Sequence, residues 1–265
     1  MDAGILSSAW SPDDSLVVLA TGDDKLILMT STFDVISENT LHPEEFGEDA
    51  PINVGWGSKQ TQFHGSLGKA AAQAPKPAII GSSPDDDELP HISWRGDGAF
   101  FVVSTLSPRD DSSSSASEHR KRTIRTYSHA GVLQSTSEPT PGLEHVLSWR
   151  PSGNWIASTQ RYGFIGGGEG REGRHDVVMF ERNGLRRLEF GIESVAAGDK
   201  QPGPSDRKWG YRVREAGWSS DSNIFSLWIE RDEGDIGKYA ALSVHRWCSH
   251  SRCEVQLWTV NNYHW

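Results

Sequence analysis

Four copies of one short pattern, a tryptophan, a polar turn and an apolar run, constrain this chain more than any other feature of its sequence. The first reads Ala9-Trp10-Ser11-Pro12-Asp13-Asp14-Ser15 and continues into Leu16-Val17-Val18-Leu19-Ala20. The second is Ser93-Trp94-Arg95-Gly96-Asp97-Gly98 before Ala99-Phe100-Phe101-Val102-Val103. The third is Ser148-Trp149-Arg150-Pro151-Ser152-Gly153-Asn154 before Trp155-Ile156-Ala157-Ser158. The fourth is Gly217-Trp218-Ser219-Ser220-Asp221-Ser222-Asn223 before Ile224-Phe225-Ser226-Leu227-Trp228. Pro, Asp, Gly and Ser at the turn positions bias the backbone toward a tight reversal, so each copy predicts a hairpin between two strands.

Further strands are expected after each hairpin. Third strands are predicted at 25–30, 123–127, 176–180 and 254–259, and outer strands at 132–135 and 188–190, the last two preceded by Gly-containing turns. A strand–hairpin unit repeated four times predicts an all-β, WD40-like β-propeller, partial, with about four blades spanning 1–265. The intervals from Trp10 to Trp94, Trp149 and Trp218 all exceed the ~40–45 residues of an ordinary WD repeat, so long loop insertions are expected. Two of these, near 107–122 and 165–174, are low-complexity and read as mobile. A weaker unit around Trp56 reads as an outer strand plus a long connection, and only 68–73 favours helix. The stretch 239–252 interrupts the expected path of the fourth blade, and the chain ends where that blade's outer strand is expected, so it reads as truncated.

Composition narrows the class of function. Eleven tryptophans in 265 residues imply a repeated structural use of that side chain. A net charge of −10 disfavours a surface whose overall field gathers nucleic acid. Two cysteines and no glycosylation sequon point away from a secreted disulfide scaffold, so a cytoplasmic protein with a nuclear share is expected. No apolar run approaches the ~20 residues of a membrane span, and the first residues lack the features of a signal peptide.

Several runs go beyond a generic propeller. They are Asn53-Val54-Gly55-Trp56-Gly57, Thr61-Gln62-Phe63-His64-Gly65-Ser66 with Gly68-Lys69, and Ile92-Ser93-Trp94-Arg95-Gly96-Asp97-Gly98. Gly131-Val132-Leu133-Gln134-Ser135-Thr136-Ser137-Glu138, the run around Trp149, Phe180-Glu181-Arg182-Asn183-Gly184-Leu185 and the closing Leu257-Trp258-Thr259 with Asn262-Tyr263-His264-Trp265 complete the set. Together, in this order and over nearly the whole chain, they resemble the family of largest Elongator-complex subunits, also called IKAP, within its first N-terminal propeller. Gly55, Trp56, Phe63, His64, Gly65 and Ser66 form the loop most distinctive of that resemblance. The resemblance implies a non-catalytic scaffold of a complex that installs carboxymethyl-type groups at carbon 5 of the tRNA wobble uridine. It also implies a separate catalytic partner, a radical S-adenosylmethionine subunit with an acetyltransferase domain, and tRNA met only through the complex. Homodimerisation is expected through a region absent from this chain. The alternative is a generic WD-repeat adaptor that binds a protein or peptide.

The remaining chemical motifs favour bland readings. Gly168-Glu169-Gly170-Arg171-Glu172-Gly173 matches a dinucleotide fingerprint, but a strand-like run follows where a helix N-terminus is needed. His245, Cys248, His250 and Cys253 are all zinc-ligand types, yet one short run does not supply two separated knuckles, so no metal site and no cofactor are expected. Gly68-Lys69 lacks the Ser or Thr of a phosphate loop, and His64 with Ser66 lacks the serine elbow of a hydrolase; no catalytic residue is assigned. The acidic run Asp85-Asp86-Asp87-Glu88 is expected to be a solvated loop. Arg120, Lys121, Arg122 and Arg125 form the best basic contact patch, with Arg207, Lys208, Arg212 and Arg214 second.

Overall fold

The computed structural model describes residues 4–43, 81–108, 120–164, 167, 174–192, 211–231, 238–243 and 257–260. Every regular element among them is a strand. Sixteen strands form four antiparallel four-stranded sheets, each meandering in chain order. Blade 1 holds β1 (Ile5–Trp10), β2 (Leu16–Thr21), β3 (Lys25–Thr30) and β4 (Val35–Thr40). Blade 2 holds β5 (His91–Trp94), β6 (Phe100–Leu106), β7 (Arg122–Ser128) and β8 (Leu133–Thr136). Blade 3 holds β9 (Ser148–Trp149), β10 (Trp155–Arg161), β11 (His175–Glu181) and β12 (Arg186–Gly191). Blade 4 holds β13 (Tyr211–Trp218), β14 (Ile224–Arg231), β15 (Lys238–Ser243) and β16 (Leu257–Val260).

The first strands of the blades are neighbours in the order β1, β5, β9, β13, which places them innermost around a common axis. The four sheets do not close into a ring: this is a partial propeller. Successive residues of a strand point to opposite faces, and the middle strands use both. Phe101 and Val103 of β6 pack with Val18, Leu26 and Leu28 of blade 1, while Val102 between them packs with Ile156, Val178 and Phe180 of blade 3. In β11, Val178 and Phe180 face blade 2 and the alternating Val177 and Met179 join Phe225, Leu227 and Ile229 of blade 4. The apolar runs are nearly continuous because sheets buried on both faces have no solvent side to mark with polar residues.

The four tryptophan units occupy equivalent positions. Each tryptophan ends the innermost strand and lies opposite the second residue of the next, or its equivalent: Trp10 with Val17, Trp94 with Phe101, Trp149 with Ile156 and Trp218 with Phe225. Four residues after each tryptophan the backbone turns left-handed, with φ of 57° at Asp14, 68° at Gly98, 107° at Gly153 and 64° at Ser222. An aspartate one position earlier closes three of these turns by accepting the backbone N–H of Ser15, Ala99 or Asn223.

The fourth blade departs from the sequence-based expectation. Its third strand is β15, almost wholly within the 239–252 stretch predicted to be an interruption, and the run at 254–259 predicted as third overlaps the outer strand β16 instead. The outer strand is therefore already present before 263–265. Alternating apolar residues mark a strand but not its rank in the sheet, and Lys238–Ser243 carries no turn signature of its own. The outer strand β4 was also unmarked, since its mostly polar run, Val35–Thr40, lies largely exposed.

Candidate functional site

Topology divides the connections between two ends of the blades. The tight reversals at 11–15, 31–34, 95–99, 129–132, 150–154, 182–185 and 219–223 lie on one end. The strand ends that flank the longer connections, Thr40 and His91, Leu106 and Arg122, Thr136 and Ser148, Arg161 and His175, and Gly191 and Tyr211, lie on the other, the long-connection end.

At the long-connection end, a buried network of charged side chains ties blades 2, 3 and 4 together. Asp86 receives the Arg122 guanidinium in a two-pronged contact, Nε to Oδ2 at 2.6 Å and Nη2 to Oδ1 at 2.5 Å, with both side chains essentially inaccessible. Arg122 Nη1 also donates to the carbonyl of Leu89 at 3.0 Å, so the segment entering β5 is clamped to the start of β7. One residue earlier, Asp85 accepts Arg161 at the end of β10, which links the same segment to blade 3. Arg161 in turn faces Glu144 at 3.2 Å. Glu144 accepts Thr159 Oγ1 at 2.7 Å and Ser83 Oγ at 3.0 Å, and contacts His175 Nε2 at 2.6 Å. The other His175 nitrogen meets the Tyr211 hydroxyl at 3.0 Å, reaching the first strand of blade 4.

Burial alone would raise the Glu144 pKa, yet the adjacent His175 and Arg161 and the hydrogen bonds to His175 and Thr159 hold its carboxyl far below the usual range. Asp87 is likewise partly buried, but the hydrogen bond to His91 and the nearby His145 hold it at about 2. His145 goes the other way: burial pushes its imidazole down, against the attraction of Asp87 and Glu144. Most donors and acceptors of this network are turned toward one another, an arrangement that ties the blades together.

At the opposite end the turns interlock blade to blade. Gly96 N–H donates to the Pro151 carbonyl at 3.1 Å, and a Cβ at Gly96 would meet that oxygen at 2.7 Å. Ser152 N–H donates to Ser222 Oγ at 2.8 Å, and Arg150 Nε to the Ser222 carbonyl at 3.0 Å. Toward the periphery, Asn39 of β4 donates to Gly131 O in blade 2, and Glu138 N–H after β8 donates to Gly184 O in blade 3, both at 3.0 Å.

The blade tryptophans share a position but not an environment. Trp149 is 2% exposed and donates to Gly153 O within its own turn; Trp94 is 8% exposed and donates to Ala9 O of the neighbouring blade. Trp218 is half-buried with a guanidinium, that of Arg150, over its ring. Trp10 is 45% exposed and meets Phe33 edge-on.

The predicted basic patch is not a patch. Arg122 and Arg125 are buried, Arg122 on Asp86 and Arg125 on the Thr105 hydroxyl; Arg120 pairs with Glu88 at 2.9 Å, and the half-exposed Lys121 is tied to Ser107 through its backbone, its N–H donating to Ser107 Oγ at 3.1 Å. The acidic run expected to be solvated is what the arginines bind: Arg122 takes Asp86 and Asp87, and Arg120 takes Glu88. Of the second cluster, Arg212 and Arg214 share Glu230, and 207–208 lie outside the described residues. Gly55, Trp56, Phe63, His64, Gly65 and Ser66, the 168–173 glycine run, and His245, Cys248, His250 and Cys253 also lie outside them. No group of three metal-ligand residues occurs among the described residues. Among the described residues no helix is long and apolar enough to cross a membrane. The ion network around Glu144 was not anticipated from sequence; its one signal is the placing of arginine at a strand end and histidine at a strand start within otherwise apolar runs.

Four-stranded antiparallel sheets arranged about an axis, interlocked at their turns, define a β-propeller protein. The model for the ELP1 first N-terminal beta-propeller matches residues 1–265. Elongator complex protein 1 of Oryctolagus cuniculus is 39% identical over 99% of the chain, and those of Drosophila melanogaster and Saccharomyces cerevisiae are 36% and 30% identical over all of it. The chain belongs to the Elongator complex protein 1 family. It spans only 17 to 18% of the length of these three relatives. Among solved structures, the beta-propeller domain of Myceliophteria thermophila Cps50 (Swd1) superposes with a TM-score of 0.47 at 7% identity, covering 90% of this chain and 52% of that one.

Proposed function

We propose that this chain is a non-catalytic scaffold segment of the Elongator complex, required for carboxymethyl-type modification at carbon 5 of the tRNA wobble uridine. The supporting observation is the family match over residues 1–265, joined to a network in which Arg122, Arg161, Glu144 and His175 are spent on holding blades together. In this reading the chemistry belongs to a radical S-adenosylmethionine and acetyltransferase subunit that the scaffold holds. The tRNA is reached through the assembled complex, without a cofactor or membrane of this chain's own. Dimerisation uses a part of the full-length subunit outside this chain, and the site of action is the cytoplasm with a nuclear share.

Deleting these residues from the full-length subunit tests the reading. Loss of wobble-uridine modification, read by mass spectrometry of bulk tRNA nucleosides, together with loss of the catalytic subunit from affinity-purified complex, is the expected result. Unchanged modification would overturn it. A generic WD-repeat adaptor, the second reading, draws on a groove lined by Arg150 and Arg182 beside the blade 3 turns; intact modification with loss of some other protein partner would favour it.

A further inference from the structure

On the tight-turn end, a groove of about 400 Å³ opens between the two reversals of blade 3, lined by Arg150, Asn154, Trp155, Glu181, Arg182 and Asn183. Its walls carry more positive charge than the chain around it. Arg182 lies over the Phe100 ring at 4.5 Å, and Arg95 lies over the same ring at 4.6 Å. Arg95 is neutralised by Asp97, through contacts of 2.7 and 2.6 Å. Arg182 has neither an ion pair nor a side-chain hydrogen bond among the described residues, and Arg150 commits only Nε, to the Ser222 carbonyl. The Glu181 carboxylate is engaged by Arg187 at 3.3 Å and Asn183 at 3.1 Å. Asn154 gives its amide oxygen to Arg95, which leaves its NH₂ to donate.

We propose that this groove binds an acidic peptide segment of a protein partner. The uncommitted donors, the Arg182 fork, the Arg150 terminal nitrogens and the Asn154 NH₂, call for a ligand rich in acceptors: a side-chain carboxylate for the fork and peptide carbonyls for the rest. Stacking on Phe100 and Trp218 pre-orients both guanidiniums, which lowers the ordering cost of capturing a carboxylate. The volume falls in the range of ligand pockets and exceeds what a lone anion fills, and the half-buried Trp155 offers an apolar wall to a neighbouring side chain. A nucleic acid is the poorer match, because a chain of net charge −10 repels an extended polyanion while one or two carboxylates incur little of that repulsion. The groove stands on its own geometry and goes beyond the scaffold reading, so its failure leaves the deletion experiment above unaffected.

The test is fluorescence anisotropy of the full chain with a labelled, end-capped hexapeptide of alternating glutamate and leucine at low ionic strength. Saturable binding that weakens roughly tenfold in Arg182→Gln and in Arg150→Gln, and less in Arg182→Lys, is expected. Circular dichroism checks the fold of each variant; if Arg182→Gln does not fold, Arg150→Gln and Arg182→Lys carry the comparison. Equal binding of the glutamine version of the peptide overturns the proposal, as does equal binding by all folded variants. Displacement by inorganic phosphate as effective as by unlabelled peptide also overturns it, since the groove would then be a bare anion site.

Discussion

Asp86 and Arg122 illustrate how little the charge of a single residue says about its place. Each belongs to a like-charged run that ought to stay hydrated, yet their side chains meet out of solvent with 2.5 and 2.6 Å contacts. Removing one partner of a buried pair strands the other, so Asp86→Ala is expected to cost about 3 kcal/mol, measured by chemical denaturation. Arg122→Met with Asp86→Leu should cost less than that single change, because replacing both charges removes the desolvation penalty with them. A second residue-scale effect lies in the hairpin turns. Asp14 holds a φ of 57°, a conformation that Gly98 and Gly153 adopt freely at the matching positions of blades 2 and 3. Exposed and strained, Asp14 should yield a gain of about 0.5 kcal/mol on change to Gly, read as a raised denaturation midpoint; a loss would mean that its side chain stabilises the turn.

Between elements, what matters is which blade faces which. Trp149 ends β9 at 2% exposure inside the core between blades 2 and 3, whereas Trp10 ends β1 at 45% exposure. Identical motifs therefore predict unequal losses. Trp149→Ala should cost about 3–5 kcal/mol and Trp10→Ala under about 1.5 kcal/mol, compared by denaturation in one buffer. Equal losses would mean that the motif stabilises its own hairpin and not the contact between blades. The outer hooks carry the same logic. Gly184 sits at φ 84° with Thr136 O of the preceding blade 2.2 Å from where a Cβ would lie, so a side chain there would push blades 2 and 3 apart.

Across the molecule, the buried network makes stability depend on pH in two separate windows. His145 has a folded pKa below its unfolded one, because burial disfavours the imidazolium. The unfolded chain therefore takes up that proton first, and the contribution of His145 is full above about pH 6.5 and declines as pH falls below it. Asp87 titrates at about 2 in the folded chain, below its unfolded value, so its contribution is present above about pH 4 and is lost as pH falls through about 2. Thermal midpoints taken between about pH 8 and 5 should fall for the parent and fall less for His145→Gln. An unchanged slope in that variant would exclude His145 as a source of the dependence.

How much was legible in advance follows from the range of the interactions. The hairpins at Trp10, Trp94, Trp149 and Trp218 were readable because a turn is a local event, decided by residues within five positions of one another, and the strands that follow them inherit their register from it. The rank of β15 and β16 was not readable, because sheet order depends on a pairing between segments with no local mark. The same holds for the site. The sequence by itself determined an all-β chain of four tryptophan-marked units and the family to which it belongs. Only the tertiary structure decided that Asp85 and Asp86 bind Arg161 and Arg122, and that Arg150 and Arg182 share one groove, because these partners are brought together by the stacking of blades, and the stacking acts between residues that lie far apart along the chain.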